Sequence, residues 1–174
     1  MKRTYCIILL FVTLLVSCGK EKKKPVYYDT LTTEEETLYA QSGDEVVVPY
    51  RSEDGVKYVK VKVNGVEFDM IFDTGCSSTL ISVAEANYLY QKGLLSQEDV
   101  IGVAHSQIAD GSIVENMVVN LKEVVIDDRI SCPDVKATVS SNVQAPLLLG
   151  NEVLDRVATI TIDNTNQTLK FVLK

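Results

Sequence analysis

Residues 56–72 constrain the fold more than any other stretch. From Val56 to Val63 polar and apolar residues alternate, with Val59, Val61 and Val63 on one face and Lys60 and Lys62 on the other. Asn64-Gly65 follows, the dipeptide suited to a two-residue hairpin turn because both positions need positive φ. Val66, Phe68, Met70 and Phe72 then alternate with Glu67 and Asp69. A period of two on both sides of such a turn predicts two antiparallel strands with one buried face. The second strand runs directly into Asp73-Thr74-Gly75.

The rest of the body reads mostly as strand. Residues 79–82 form a short strand candidate. Ser82-Val83-Ala84-Glu85 has the spacing of a capping box, which predicts a helix to about Lys92 with Gly93 as its stop. Ser96-Gln97-Glu98-Asp99 opens a second helical turn. Asp110-Gly111 predicts a hairpin end with extended arms, the second arm covering 113–118. Residues 121–126 and 135–139 are two further strand candidates, with Asp127-Asp128 as a turn. Pro146-Leu147-Leu148-Leu149-Gly150 is a buried apolar run closed by Gly. Residues 151–156 form one or two helical turns capped by Gly150 or Asn151. Ile160 and Ile162 alternate with Thr159, Thr161 and Asp163; 164–167 make a turn, and Leu169, Phe171 and Leu173 close the chain. Many short strands, few helices and frequent turns suggest an all-β, small closed barrel.

The first residues stand apart. Lys2 and Arg3 precede an apolar run over 6–16, too short for a helix of about 20 residues across a bilayer and typical of an export signal. It ends in Leu15-Val16-Ser17-Cys18-Gly19, which resembles the bacterial lipobox. The expected organisation is a signal peptide over 1–17, a lipidated Cys18 with a tether over 18–43, and a folded domain over 44–174. Lipid on Cys18 holds a protein at a membrane without a spanning helix. The resemblance implies the cell envelope, with Gly19 pointing to the outer membrane facing the periplasm.

Composition removes several classes. With 17 Lys and Arg against 24 Asp and Glu, the net charge is −7 and gives no basic surface for nucleic acid. Four Cys are too few for a disulfide scaffold and lack zinc spacing. His105, the only His, has no cluster of further ligands around it and is not read as catalytic or as a metal site.

Three segments carry the chemistry. Phe72-Asp73-Thr74-Gly75-Cys76-Ser77 puts a carboxylate at the end of an apolar strand; alone, Asp73 reads equally as a turn former. Ile108-Ala109-Asp110-Gly111-Ser112 is a hairpin tip. Leu148-Leu149-Gly150-Asn151 leads an apolar strand into a short helix, with a Gly that permits close backbone approach. Their order and spacing resemble the retropepsin-like aspartic proteases over about residues 45–174. The resemblance implies a retropepsin-like acid-protease barrel with a flap hairpin, acting on polypeptides without a cofactor. It makes Asp73 the catalytic carboxylate, supported in its loop by Thr74, Gly75 and Cys76. Ala109, Asp110 and Gly111 become the flap that binds substrate, and Leu149 and Gly150 the packing under the loop. Cys76 replaces the usual Ala or Ser, and a Cys76–Cys132 bond stays open.

The mechanism demands two carboxylates about one water, which share a proton because both cannot ionise about 3 Å apart. The chain has one Asp-Thr-Gly and no second Asp-Thr-Gly or Asp-Ser-Gly. A self-sufficient bilobal enzyme is excluded, and the resemblance implies a symmetric homodimer with one Asp73 from each copy. By the same resemblance the last strand, 168–173, is the expected interface. The alternative is a catalytically silent peptide-binding or assembly lipoprotein of the same fold.

Overall fold

In the computed structural model, residues 40–107 and 110–174 are described. The strands, in chain order, are β1 (Glu45–Pro49), β2 (Arg51–Glu53), β3 (Val56–Val63), β4 (Val66–Phe72) and β5 (Thr79–Ser82). Helix α1 (Val83–Gln91) and a 3-10 turn (Gln97–Asp99) precede β6 (Val100–Gln107), β7 (Ile113–Ile126), β8 (Ile130–Ser140) and β9 (Leu148–Leu149). Helix α2 (Asn151–Leu154), β10 (Val157–Asp163) and β11 (Thr168–Leu173) complete the chain.

The large sheet has the order β2-β3-β4-β9-β5-β8-β7-β6, and a further β3–β7 pairing closes the strands from β3 to β7 into a ring. The β3–β4 hairpin is as the alternation predicts. Val63 pairs with Val66 across Asn64 and Gly65, whose φ values are 48° and 87°. Val59, Val61, Val63, Val66, Phe68 and Met70 are buried. Each such apolar side chain contributes about 1.5–3 kcal/mol on leaving water. The capping box is formed: the Ser82 hydroxyl accepts the Ala84 N–H, and Glu85 accepts the Ser82 N–H and hydroxyl.

One element departs from the sequence reading. The candidates over 113–118 and 121–126 are a single strand, β7. Asn120 does not break it: its backbone pairs with Lys136 on β8, and its side chain donates to Asp134 Oδ1 at 3.3 Å. β8 is correspondingly longer than 135–139, and Asp134 takes φ 51° within it.

A second sheet has the order β1-β11-β10. Val46, Val48, Leu169 and Phe171 pack from it into the same core as β3 and β4. The packing reaches back before residue 44: Ala40 N–H donates to the Arg129 carbonyl at 2.9 Å and Gly43 N–H to the Leu173 carbonyl at 3.2 Å. Among the described residues no helix is long and apolar enough to cross a membrane. Cys18 and the signal and tether residues up to 39 lie outside the described residues.

Candidate active site

The site is built where three strands cross. β9 lies between β4 and β5, parallel to the first and antiparallel to the second, with Ile71 opposite Leu148 and Phe72 opposite Leu149. The pairing continues one residue further, since Asp73 N–H donates to the Leu149 carbonyl at 3.1 Å. Leu149 is fully buried. The backbone of Asp73 is therefore fixed by β9 at the moment the chain leaves β4.

Beyond Asp73 the loop is tied by short contacts. Gly75 N–H donates to Asp73 Oδ1 at 2.8 Å, which orients the half-buried carboxylate. Cys76 N–H donates to the Asp73 carbonyl at 3.4 Å. The Cys76 thiol donates to the Ser78 carbonyl at 2.9 Å. Burial pushes the Cys76 thiol up, and the nearby Asp73 charge adds to this against the lowering effect of the Ser78 carbonyl. Held protonated in this way, the thiol is a poor nucleophile and packs as a small apolar group. Cys76 and Cys132 are both free, the second buried in the core on β8.

Gly150 explains its own identity. A Cβ there would stand 2.1 Å from the Ser78 carbonyl oxygen and 2.7 Å from that of Cys76. No other residue fits while the loop keeps its path. The next residue, Asn151, is the group that the motif reading undervalued by treating it as a helix cap alone. Its N–H donates to the Cys76 carbonyl at 2.9 Å and its Nδ2 to the Thr74 carbonyl at 3.1 Å. One residue at the start of α2 thus braces both arms of the loop. The only sequence signal was its place directly after the Gly of Leu148-Leu149-Gly150.

Asp73, Thr74, Gly75, Cys76, Leu149 and Gly150 are therefore gathered in one place. Asp110 and Gly111 are not part of that cluster. They lie at the end of the β6–β7 hairpin, both exposed, with Gly111 at φ 86°. The Asp110 carboxylate accepts the Ser112 N–H at 2.8 Å, and its hydrogen bonds to Ser112 hold it below the usual carboxylate range. Ala109 lies outside the described residues. On the hairpin arms His105 faces Glu115 across the strands, with Nε2 to Oε2 at 3.5 Å, and both side chains are exposed. Among the described residues no group of three or more His, Cys, Asp or Glu could hold a metal ion.

Residues 59–156, more than half of the chain, match the family model described as "gag-polyprotein putative aspartyl protease". The chain belongs to this retropepsin-like aspartic protease family. Its structure also matches the crystal structure of a retropepsin-like aspartic protease from Rickettsia conorii. The TM-score is 0.55 over 74% of this chain and 89% of that one, at 24% identity, so the likeness is one of fold. None of the curated proteins compared with the chain matches it. Thr74 and Gly75, at the tip of the Asp73 loop, are exposed.

Proposed function

We propose that the chain is an aspartic endopeptidase whose active form is a symmetric homodimer. The single observation that carries this is the state of Asp73: its backbone is pinned by Leu149, and its carboxylate is aimed by Gly75 N–H. A turn former needs no such support from a second strand.

Catalysis by this loop takes two copies. One Asp73 carboxylate, ionised, removes a proton from a water held between the pair. The other, protonated, gives its proton to the carbonyl oxygen of the peptide bond as the water oxygen attacks the carbon. Collapse of the tetrahedral intermediate breaks the C–N bond as the proton taken from water passes to the leaving amine and the second carboxylate takes back a proton from the gem-diol, which restores the shared-proton pair. Gly75 N–H keeps each carboxylate oriented, and Asn151 keeps the loop in place. The Cys76 thiol contributes no nucleophile. A polypeptide bound in extended form beneath the β6–β7 hairpin supplies the scissile bond.

The apolar run over 6–16 and the Leu15-Val16-Ser17-Cys18-Gly19 sequence support lipid attachment at Cys18, which would confine the enzyme to an envelope membrane. Confinement to one surface raises the effective concentration of the second copy, which suits a site that one chain cannot complete.

The test incubates the full chain, wild type and Asp73→Asn, with a mixed peptide library from acid to neutral pH, and reads the products by mass spectrometry. Asn keeps the shape and removes the charge. Cleavage that disappears in Asp73→Asn is the expected result. Equal cleavage by both removes Asp73 from the mechanism. A folded, dimeric wild type that cleaves nothing supports a peptide-binding role.

A further inference from the structure

Asn151 braces the Asp73 loop, yet α2, which carries it, is a single turn of four residues. A helix that short does not hold itself together in water. Val153 and Leu154 bury one side of it in the core. Burial of this kind is non-directional. It keeps the turn against the core but does not fix its rotation or its position along the surface. A directional contact has to set where Asn151 stands.

Arg156, two residues beyond α2, makes that contact with a half-buried guanidinium. Its Nε donates to the Glu152 carbonyl at 3.1 Å, and Nη2 donates to Glu152 Oε1 at 3.1 Å. Nη2 also donates to the Asp134 carbonyl at 3.0 Å, and Nη1 to the Pro133 carbonyl. The first two bonds grip α2 at the residue next to Asn151, and the other two grip β8. The rigid fork of a guanidinium holds both at one spacing, which the flexible stem of a lysine does not. β8 is shaped to receive it. β5 pairs with β8 only from Ala137 to Ser140, so Pro133 and Asp134 lie in the part that β5 leaves uncovered. Successive carbonyls of a regular strand point to opposite sides, whereas these two both meet one guanidinium. Asp134, at φ 51°, turns one peptide against the next, and the ladder with β7 passes from Leu121–Val135 to Glu123–Pro133 with no pair at Asp134. A residue other than glycine keeps such a conformation where its surroundings hold it. Asn120 holds the Asp134 side chain and Arg156 its carbonyl.

We propose that Arg156 is a positioning residue for Asp73. It does not touch the carboxylate. It fixes the start of α2 on β8, and Asn151 passes that placement to the Thr74 and Cys76 carbonyls on the two arms of the loop. The inference rests on the endopeptidase reading above and adds a residue to its site.

The test compares the full chain as wild type, Arg156→Met, Asn151→Ala and the double variant, on a peptide that wild type cleaves. Arg129→Met is the control, since Arg129 also donates to a backbone carbonyl, that of Val47 at 2.7 Å, but on β1 rather than beside α2. Two readouts are taken: kcat and KM, and the rate at which iodoacetamide alkylates Cys76 in the folded protein, read at that residue by mass spectrometry. The Cys76 thiol is half-buried and bonded to the Ser78 carbonyl, so it reports on the loop whether or not peptides are cleaved. Arg156→Met should lower kcat about 10–100-fold with KM within about twofold. It should speed alkylation of Cys76 about tenfold, because the loop opens more often. Arg129→Met should change neither. Because Arg156 acts through Asn151, the double variant should lose less than the product of the two single losses, and losses that multiply in full overturn the proposal. If Arg156→Met does not fold, Arg156→Lys, which keeps the charge but not the fork, is measured in its place with the same expectations. Wild-type kcat and wild-type alkylation in the Arg156 variant overturn the positioning role. A wild type that cleaves nothing removes the endopeptidase reading, and the alkylation rate then decides the positioning role alone.

Discussion

Replacing Gly150 by Ala tests the architecture of the site most directly. Its backbone has φ −102° and ψ −172°, extended values that any residue adopts. At such a position Ala normally stabilises by about 0.4–1 kcal/mol, because it restricts the unfolded chain. Here the added Cβ lies 2.1 Å from the Ser78 carbonyl oxygen, against an ordinary contact of 3.4 Å or more. Backbone must therefore retreat by roughly 1 Å, and overpacking of this kind costs about 1–3 kcal/mol. The carbonyl of Cys76, 2.7 Å from the same Cβ, is also the acceptor for Asn151 N–H, so the retreat strains that bond. The clash outweighs the entropic gain, and the net expectation is a loss of about 1–2 kcal/mol. Urea unfolding of the full chain followed by circular dichroism measures it. A 1 Å displacement of a reacting group can cost about 100-fold in rate, so peptide cleavage should fall far more than stability. Gly65→Ala is the control. It meets no atom within 4 Å but takes φ 87°, so it should lose about 1 kcal/mol through backbone strain and no activity. A Gly150→Ala protein as stable as wild type and fully active would refute the claim that this glycine sets the loop.

Three further outcomes follow from local contacts. Asn151→Ala removes the donor to the Thr74 carbonyl and should cost about 0.5–1.5 kcal/mol, lowering kcat with little change in KM. Asn151→Asp, which turns that donor into an acceptor, should be worse. Ser82→Ala deletes the cap of α1 and one partner of the buried Glu85, for a loss of about 1–2 kcal/mol in urea unfolding. Asp127 is half-buried, and burial, with Asp128 and Glu67 adding to it against Arg129 and Lys60, raises its pKa above 3.8. The folded protein therefore binds this proton more tightly than the unfolded chain. The contribution of Asp127 to stability must fall as pH rises from 3.8 through the folded value. Asp127→Asn should accordingly be more stable than wild type at neutral pH, with the advantage vanishing below 3.8, as thermal melts across that range would record.

Periodicity made the β3–β4 hairpin legible because one buried face and one turn dipeptide fix its register completely. The capping box over Ser82 to Glu85 was legible for a similar reason: every partner lies within four residues. β7 was misread as two strands because Asn120 is carried through the strand by its pairing with Lys136 on β8, which no local pattern reveals. The site shows the same division. Asp73 and Gly75 announce themselves by neighbourhood, whereas the brace from Asn151 to Thr74 joins residues far apart in the chain. The exposure of Ile162 was invisible for a further reason. It alternates with Ile160 as a core residue does, and only the extent of the core beneath it decides that it is 44% exposed while Ile160 packs against the core.

The two sides of the Asp73 loop are treated differently by the fold, and this bears on the two-copy reading proposed above. The inner side is fully engaged: Asp73 N–H with Leu149, the Cys76 carbonyl with Asn151, and the Ser78 carbonyl against Gly150. The outer side is Thr74 and Gly75, both exposed, with the Thr74 carbonyl held by Asn151. A surface turn that served only to reverse the chain would not need three separate braces, each costing the ordering of other residues. Bracing of this kind is useful when the exposed tip must meet a rigid counterpart, because a preorganised surface loses less entropy on association. In the proposed homodimer a second copy of the same loop would be such a counterpart, supplying the second carboxylate.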